Sequence, residues 1–237
     1  SNGGHAANYY SVDFDGSGDY LSVAESTDWL FEEGDFTIEF WAYIDAIATD
    51  GAFVTNMDNF SSSSQYNSRF AVGLYSSEVR VWLADDGAHV LHDYHPPQEE
   101  WVHYAVTRET GNSFSLYKNG IRIMQATQTC DLDTNGALQI GYLNNLGTYD
   151  GHISDLRIVK GTAVYTENFT PPVSPLTNIT NTKLLCCNSS TTTGSTVTPT
   201  TITANGDPAA SNDNPYDTYP FSTATNISEG TAGAATT

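Results

Sequence analysis

Asp131-Leu-Asp133-Thr-Asn135-Gly136 sets oxygen donors at every second position ahead of a glycine. That is how a calcium loop opens, with alternate side chains facing one ion and Gly allowing the sharp turn. The twelfth position is Tyr142, where a bidentate Glu belongs, so an EF-hand is excluded. An oxygen-lined Ca²⁺ loop and a plain polar turn both remain open. His89, His92 and His95 come at intervals of three, which converge poorly on a transition metal from strand and loop, and zinc is not expected. His103 lies among apolar neighbours and reads as a bonded sheet residue. No Ser/His/Asp order or nucleophile elbow appears. The cysteines are Cys130 and the adjacent pair Cys186 and Cys187. An odd number with two adjacent is no disulfide framework, and it fits assembly in a reducing compartment. Adjacent strand side chains face opposite ways, so one of the pair is expected in the core and the other as a partly exposed thiol.

The background to these residues is acidic. The 237 residues carry 28 Asp+Glu against 8 Lys+Arg, a formal charge of −20. Nucleic-acid binding needs Lys and Arg at the phosphates and is excluded on charge. Adsorption to anionic membranes is disfavoured likewise, and no run of about 18 apolar residues is present to span a bilayer. Surplus carboxylates make Ca²⁺ the natural candidate cofactor, although acidity also serves solubility alone. The chain opens SNGGHAANYY without an initiating Met and reads as a fragment or processed form.

Short strands must position these groups. With 22 Ser, 30 Thr and 18 Asn, the composition suits strands and turns better than helices. The stretch 35–45 alternates Phe36, Ile38, Phe40 and Ala42 against Thr37, Glu39, Trp41 and Tyr43, which predicts a central strand covered on both faces. Further strands are expected around 12–14, 20–23, 51–55, 69–75, 78–84, 88–92, 101–108, 113–118, 121–126, 137–142, 150–158 and 182–187, and one helical turn at 26–31. Turn signals separate them at Ser61–Ser64, Asp85-Asp86-Gly87, Pro96-Pro97 and Thr110-Gly111-Asn112. Asn119-Gly120 marks a type I′ hairpin. Ten or more closely spaced strands without a helical period predict an all-β fold, a two-sheet antiparallel sandwich or jelly roll. Trp41, Trp82 and Trp101 are expected in its core.

The expected division is an N-terminal arm at 1–9, the sandwich at 10–187 and a polar, extended tail at 188–237. Between 188 and 237 apolar mass is scarce, so that stretch is not expected to order alone. If ordered, it should be held from outside, by a neighbouring subunit or the surface of a larger assembly.

Four segments in series carry a resemblance: Val12-Asp-Phe-Asp-Gly with Asp19-Tyr-Leu; Gly34-Asp-Phe-Thr-Ile-Glu-Phe-Trp-Ala-Tyr; Trp101-Val-His-Tyr-Ala-Val-Thr-Arg with Leu116-Tyr-Lys-Asn-Gly; and Leu138-Gln-Ile-Gly with Tyr149-Asp-Gly-His-Ile-Ser-Asp-Leu-Arg-Ile. Together they resemble the laminin G-like, concanavalin A-like lectin/glucanase jelly roll across roughly residues 10–187. The continuation, Gly161-Thr-Ala-Val-Tyr through Pro175 and Thr200-Thr-Ile-Thr-Ala-Asn-Gly-Asp-Pro, resembles laminin G-like modules in virion structural proteins of marine bacteriophages, including cyanophages.

The resemblance implies sites. Sandwich lectins place a cation where the first and last strands meet, and on that analogy the ligands are Asp19 and Asp155 with Asp15 third. Glycan sites on such folds use aromatic platforms with amide and carboxylate acceptors. The loop Tyr142-Leu-Asn144-Asn145-Leu-Gly-Thr-Tyr149-Asp150 has that composition, with Tyr94 near it. The related family 16 glycoside hydrolases carry Glu-x-Asp-x-(x)-Glu. The nearest stretch here, Glu33-Gly-Asp35-Phe-Thr-Ile-Glu39, has the wrong spacing, so no catalytic residue and no enzyme are expected. The implied function is a virion surface protein (a capsid decoration, fibre or tail-fibre component), homo-oligomeric as a trimer or lattice-bound with other virion subunits, and contacting host or environmental glycans. A carbohydrate-binding module or adhesin domain at a bacterial cell surface is the alternative, with a glycan-degrading enzyme third.

Overall fold

The structure, a computed structural model, describes residues 9–58, 69–84 and 89–217. The expected turns at Ser61–Ser64 and Asp85-Asp86-Gly87, most of the 1–9 arm, and residues 218–237 lie outside them. In chain order the first strands are β1 (Ser11–Asp15), β2 (Tyr20–Val23), β3 (Phe36–Ile44), β4 (Gly51–Thr55), β5 (Arg69–Tyr75), β6 (Glu78–Ala84), β7 (His89–Asp93), β8 (Trp101–Glu109) and β9 (Ser113–Lys118). Then follow β10 (Ile121–Thr127), β11 (Leu138–Ile140), β12 (Tyr142–Leu143), β13 (Gly147–Thr148), β14 (Asp150–Lys160), β15 (Thr182–Cys186), β16 (Ser195–Val197), β17 (Ile202–Asn205) and β18 (Ala209–Ser211). A single 3₁₀ turn at Thr27–Trp29, capped by Ser26, stands where one helical turn is expected.

The strands form two antiparallel sheets. One runs β10-β9-β8-β3-β14-β1-β18, with β15 and β16 continuing beside β14; the other runs β17-β2-β11-β4-β5-β6-β7. This is the expected all-β sandwich. Phe36, Ile38, Phe40, Ala42 and Ile44 all point into the core, since successive strand side chains alternate. Opposite them stand Leu21, Val54, Phe70, Val72 and Val81. Aromatic rings join the two layers: Phe40 lies 5.1 Å from Phe53, and Phe53 lies 4.9 Å from Tyr149. Each such side chain contributes about 1.5–3 kcal/mol by leaving water.

The β9–β10 hairpin turns at Asn119 (φ 49°) and Gly120 (φ 77°), as a type I′ turn requires. Gly120 has a second reason to be glycine, because a Cβ there would fall 1.9 Å from the Phe169 carbonyl oxygen.

Two expectations are corrected. The stretch beyond 187 is not a tail up to residue 217. Ile202–Asn205 extends the second sheet beside Tyr20–Val23, Ala209–Ser211 pairs with Ser11–Asp13, and Ser195–Val197 pairs with β15. Edge strands of the same domain supply the partners that a polar segment lacks by itself, so its order is no argument for a neighbouring subunit. The cysteine pair also departs from alternation. Cys187 adopts φ 60°, which ends the strand and turns its side chain back, so both thiols are buried with sulfurs 3.7 Å apart. Cys130 is buried as well, and no disulfide joins the three among the described residues.

Candidate functional site

The outer face of the first sheet is covered by the chain itself. Residues 161–181 cross β3, β8 and β9. Tyr165 and Phe169 stack at 3.6 Å, and Phe169 meets Tyr117 at 5.4 Å and His103 at 5.7 Å. Beneath them Glu39 is wholly buried. Its Oε1 accepts Arg157 Nε at 2.9 Å and Nη2 at 2.6 Å, its Oε2 accepts the Tyr165 hydroxyl at 2.8 Å, and His103 Nε2 lies 3.3 Å away. Burial pushes the Glu39 carboxyl up, but His103 and Arg157 outweigh it and hold the group below its ordinary range. Glu39 is thus the bonded sheet residue that the sequence suggests, while His103 is buried beside it with both ring nitrogens outside hydrogen-bond geometry among the described residues. Further along the face, Tyr216 lies edge-on over Trp41 and its hydroxyl donates to Asp155.

Among the described residues, the covering stops at one end. Register aligns Asp13 with His152, His152 with Tyr43, and Tyr43 with Trp101. These four side chains form a row across β1, β14, β3 and β8, about 14 Å long at roughly 4.8 Å per strand. The rings lie close: Tyr43–Trp101 5.6 Å, Tyr43–His152 5.8 Å and Trp101–His152 6.2 Å between centroids. Asp45 at the end of β3 and the turn bearing Asp213, Asn214 and Asp217 wall the row into a cleft of about 350 Å³, near the lower end of the ~300–1,000 Å³ typical of small-ligand sites. The walls are held in place. Ser11 Oγ donates to the Asp213 carbonyl at 2.6 Å, and Asn214 Nδ2 donates to Asp217 Oδ2 at 2.7 Å. Beneath the floor, the Tyr149 hydroxyl donates to the Tyr43 carbonyl at 2.6 Å.

The cleft is anionic. Burial pushes the Asp45 carboxyl up, and Asp150, Asp13 and Glu99 add to the shift against His152. Burial likewise raises the Tyr43 hydroxyl, helped by Asp45, Glu99 and Asp213. His152 Nε2 stands between Asp13 (3.8 Å) and Asp45 (3.9 Å). Among the described residues, no Lys or Arg lines the cleft.

The residues expected from the sequence disperse over the molecule. Asp15 and Asp19 do meet, joined by Asp207, with carboxylate oxygens within 4.8 Å of one another. Asp19 is 2% exposed; its Oδ1 accepts the Asp207 N–H at 2.7 Å and its Oδ2 the Asp15 N–H at 3.3 Å. Each oxygen retains a lone pair beyond these bonds, so the corner fits a hard cation such as Ca²⁺. It also ties the first and last strands together without one. Asp155 has another place. It lies at φ 52° in the bulge where β14 exchanges β1 for β15, buried, accepting from Leu176 N–H (3.1 Å), Asn188 Nδ2 (2.8 Å) and Tyr216. A bulge residue bonded to the covering segments on the outer face of the sheet is a structural anchor and no partner for Asp19.

Asp131 and Asp133 bracket the buried Leu132, which pairs with Glu32, while Asn135 Oδ1 accepts the Gly136 N–H at 3.0 Å. They lie in the polar segment that leads into β11.

The expected glycan loop is divided too. Tyr149 is core and not platform. Tyr142 packs on Tyr20 at 5.0 Å, and its hydroxyl donates to Asn144. Asn144 and Asn145 are exposed, while Asp150 sits opposite Asp15. Tyr94, 54% exposed against His92, follows β7, three strands beyond β4 where this loop packs; that is roughly 14 Å away.

Reading along the chain does not single out Tyr43, Asp45, Trp101 or His152 for ligand binding, and the reason is clear for Trp101, which reads there as core. It is half-buried instead, on the face opposite Val102 and Tyr104. The available signal is the non-core parity of Tyr43 and Trp101 in their strands, which means nothing until register places them side by side.

The family profile described as the concanavalin A-like lectin/glucanases superfamily matches residues 15–166. Among solved structures, a protein of Bacteroides ovatus provisionally assigned as carbohydrate-binding aligns with a TM-score of 0.58 and 14% identity, covering 86% of this chain and 59% of that one. Domain 4 of an extracellular arabinanase from Geobacillus stearothermophilus, solved with arabinotriose, aligns at 0.51 and 16%, over 64% and 70%. The receptor-binding domain of botulinum neurotoxin D aligns at 0.51 and 14%, over 68% and 41%. At such identities the likeness is one of fold. No curated protein sequence matches.

Proposed function

This chain belongs to the concanavalin A-like lectin/glucanases superfamily, and on that premise we propose that it binds carbohydrate without turning it over, in the cleft floored by Tyr43, Trp101 and His152. The observation that carries this reading is the cross-strand aromatic row, which no described residue covers, at the end of a face that the chain elsewhere covers. Aromatic rings offer a flat apolar platform to one face of a sugar ring, and carboxylates beside them accept from its hydroxyls. The Bacteroides protein's assignment and the arabinotriose held by the arabinanase domain support it.

The wider role we propose is a non-enzymatic exterior component of a virus particle, a capsid decoration, fibre or tail-fibre domain assembled as a homo-oligomer. The resemblance to marine phage modules and the charge of −20 support it. A carbohydrate-binding module or adhesin of a bacterial surface protein is the alternative, supported by the arabinanase domain, which is one part of a longer enzyme. Monomers in sedimentation favour the module and trimers the particle component. Ca²⁺ becomes, on this geometry, a proposal for Asp15, Asp19 and Asp207.

Glycan-array binding by the wild-type chain and by Trp101→Ala tests the site. The variant is expected to lose binding with its melting temperature kept, because Trp101 is only half-buried. Binding unchanged in Trp101→Ala, or none by wild type with millimolar Ca²⁺, refutes the reading. One observation favours a hydrolase as the second reading: Asp45 has a raised carboxyl beside other carboxylates, as a general acid requires. Reducing-sugar release that Asp45→Asn abolishes would establish it.

A further inference from the structure

The cleft's charge narrows its ligand, an inference that rests on the glycan reading above. Its floor is aromatic, Tyr43 and Trp101, and its walls carry Asp45, Asp213 and Asp217, with Asp13 and Glu99 adding their field. His152 is the only lining side chain among the described residues that can take up a positive charge, since no Lys or Arg stands there. A carboxylated or sulfated sugar would meet like charge on every wall. A neutral sugar would bring no positive charge to a cleft walled by carboxylates. A protonated amine answers both surroundings, because ammonium is drawn to the face of an indole or phenol ring and to carboxylates at once.

We propose that the Tyr43–Trp101–His152 cleft selects an amino sugar carrying a free, protonated amine, as in a chain of glucosamine units, over its N-acetylated, neutral or acidic counterparts. The volume of about 350 Å³ limits the recognised unit to one or two sugar rings. Acetylation removes the charge and keeps the ring, so the comparison isolates the ammonium. A partly desolvated cation–π contact, as on these half-buried rings, corresponds to roughly tenfold in affinity.

The test is titration calorimetry at about 0.15 M salt, where long-range attraction is screened. The ligands are β-1,4-linked tetramers of glucosamine, N-acetylglucosamine and glucose, with a hexuronate tetramer. The expected result is about tenfold tighter binding of the glucosamine tetramer, lost in Trp101→Ala and Asp45→Asn but kept in Glu25→Gln, an exposed carboxylate that follows β2 of the other sheet. Equal or tighter binding of the N-acetyl, neutral or acidic tetramer overturns the amine selectivity and leaves the glycan reading standing. Glucosamine binding that Glu25→Gln weakens as much as Asp45→Asn, while Trp101→Ala does nothing, overturns it as general attraction to an acidic protein. Silence from every tetramer removes the inference together with the glycan reading it rests on.

Discussion

Replacing Tyr216 by Phe removes the hydroxyl that ties the last described turn to the sheet. The hydroxyl donates to Oδ2 of Asp155, whose other donors are Leu176 N–H and Asn188 Nδ2. Phe keeps the ring contacts with Trp41 and Tyr9 at 6.2 and 5.4 Å but also gives up the hydroxyl's bond with Trp41, so the loss is at least the hydrogen bond to a buried charged acceptor, about 1.5–3 kcal/mol. For a chain of this length that lowers the melting temperature by roughly 3–12 °C. The effect depends on pH. Burial raises the Asp155 carboxyl above 3.8, against the pull of its three donors. A carboxyl raised in the folded state favours folding in acid, and that contribution is lost as pH rises through its folded pKa. Tyr216 offsets the loss by stabilising the ionised form. The difference between wild type and Tyr216→Phe is therefore small below the raised pKa and full at neutral pH. Urea unfolding from pH 4 to 8 at unchanged m-value measures it. A cost under about 0.5 kcal/mol at pH 7, or one as large at pH 4 as at pH 7, would refute the view that residues 188–217 are integral to the domain.

Glu39→Gln is expected to cost about 3–5 kcal/mol at pH 7, because it leaves the Arg157 guanidinium buried without its counter-charge. A chemical-denaturation midpoint near that of wild type would contradict it. The Glu39 carboxyl is held below its ordinary 4.5, so its contribution is present above that value and is lost as pH falls through the lowered pKa. Millimolar CaCl₂ is expected to raise the wild-type melting temperature and leave Asp207→Asn unmoved. If Ca²⁺ moves neither chain while Asp207→Asn alone stabilises, Asp15, Asp19 and Asp207 form a site of plain like-charge repulsion.

The strands were legible wherever one face is apolar. The Phe36–Ile44 alternation and the Asn119-Gly120 turn each needed only neighbours in the chain to be read. Residues 195–211 were not legible, because their strands bury little and depend on edges supplied by β1, β2 and β15. The candidate metal set was half legible. Asp15 and Asp19 are close in the chain and meet across one turn, but Asp207 reaches them only through β17 beside β2.

By itself, then, the sequence determined the layered all-β architecture, the acidic surface and the place of Glu39 in a bonded sheet face, since periodicity, composition and local turn chemistry act over a few residues. Tertiary structure alone decided where ligand chemistry gathers. Tyr43, Trp101 and His152 come from three distant stretches and converge through antiparallel register. Asp155, Tyr149 and the cysteine pair were redirected by a bulge, by core depth and by one left-handed residue. Each of these depends on which strands pair and where their alternation breaks, which no window along a single strand contains.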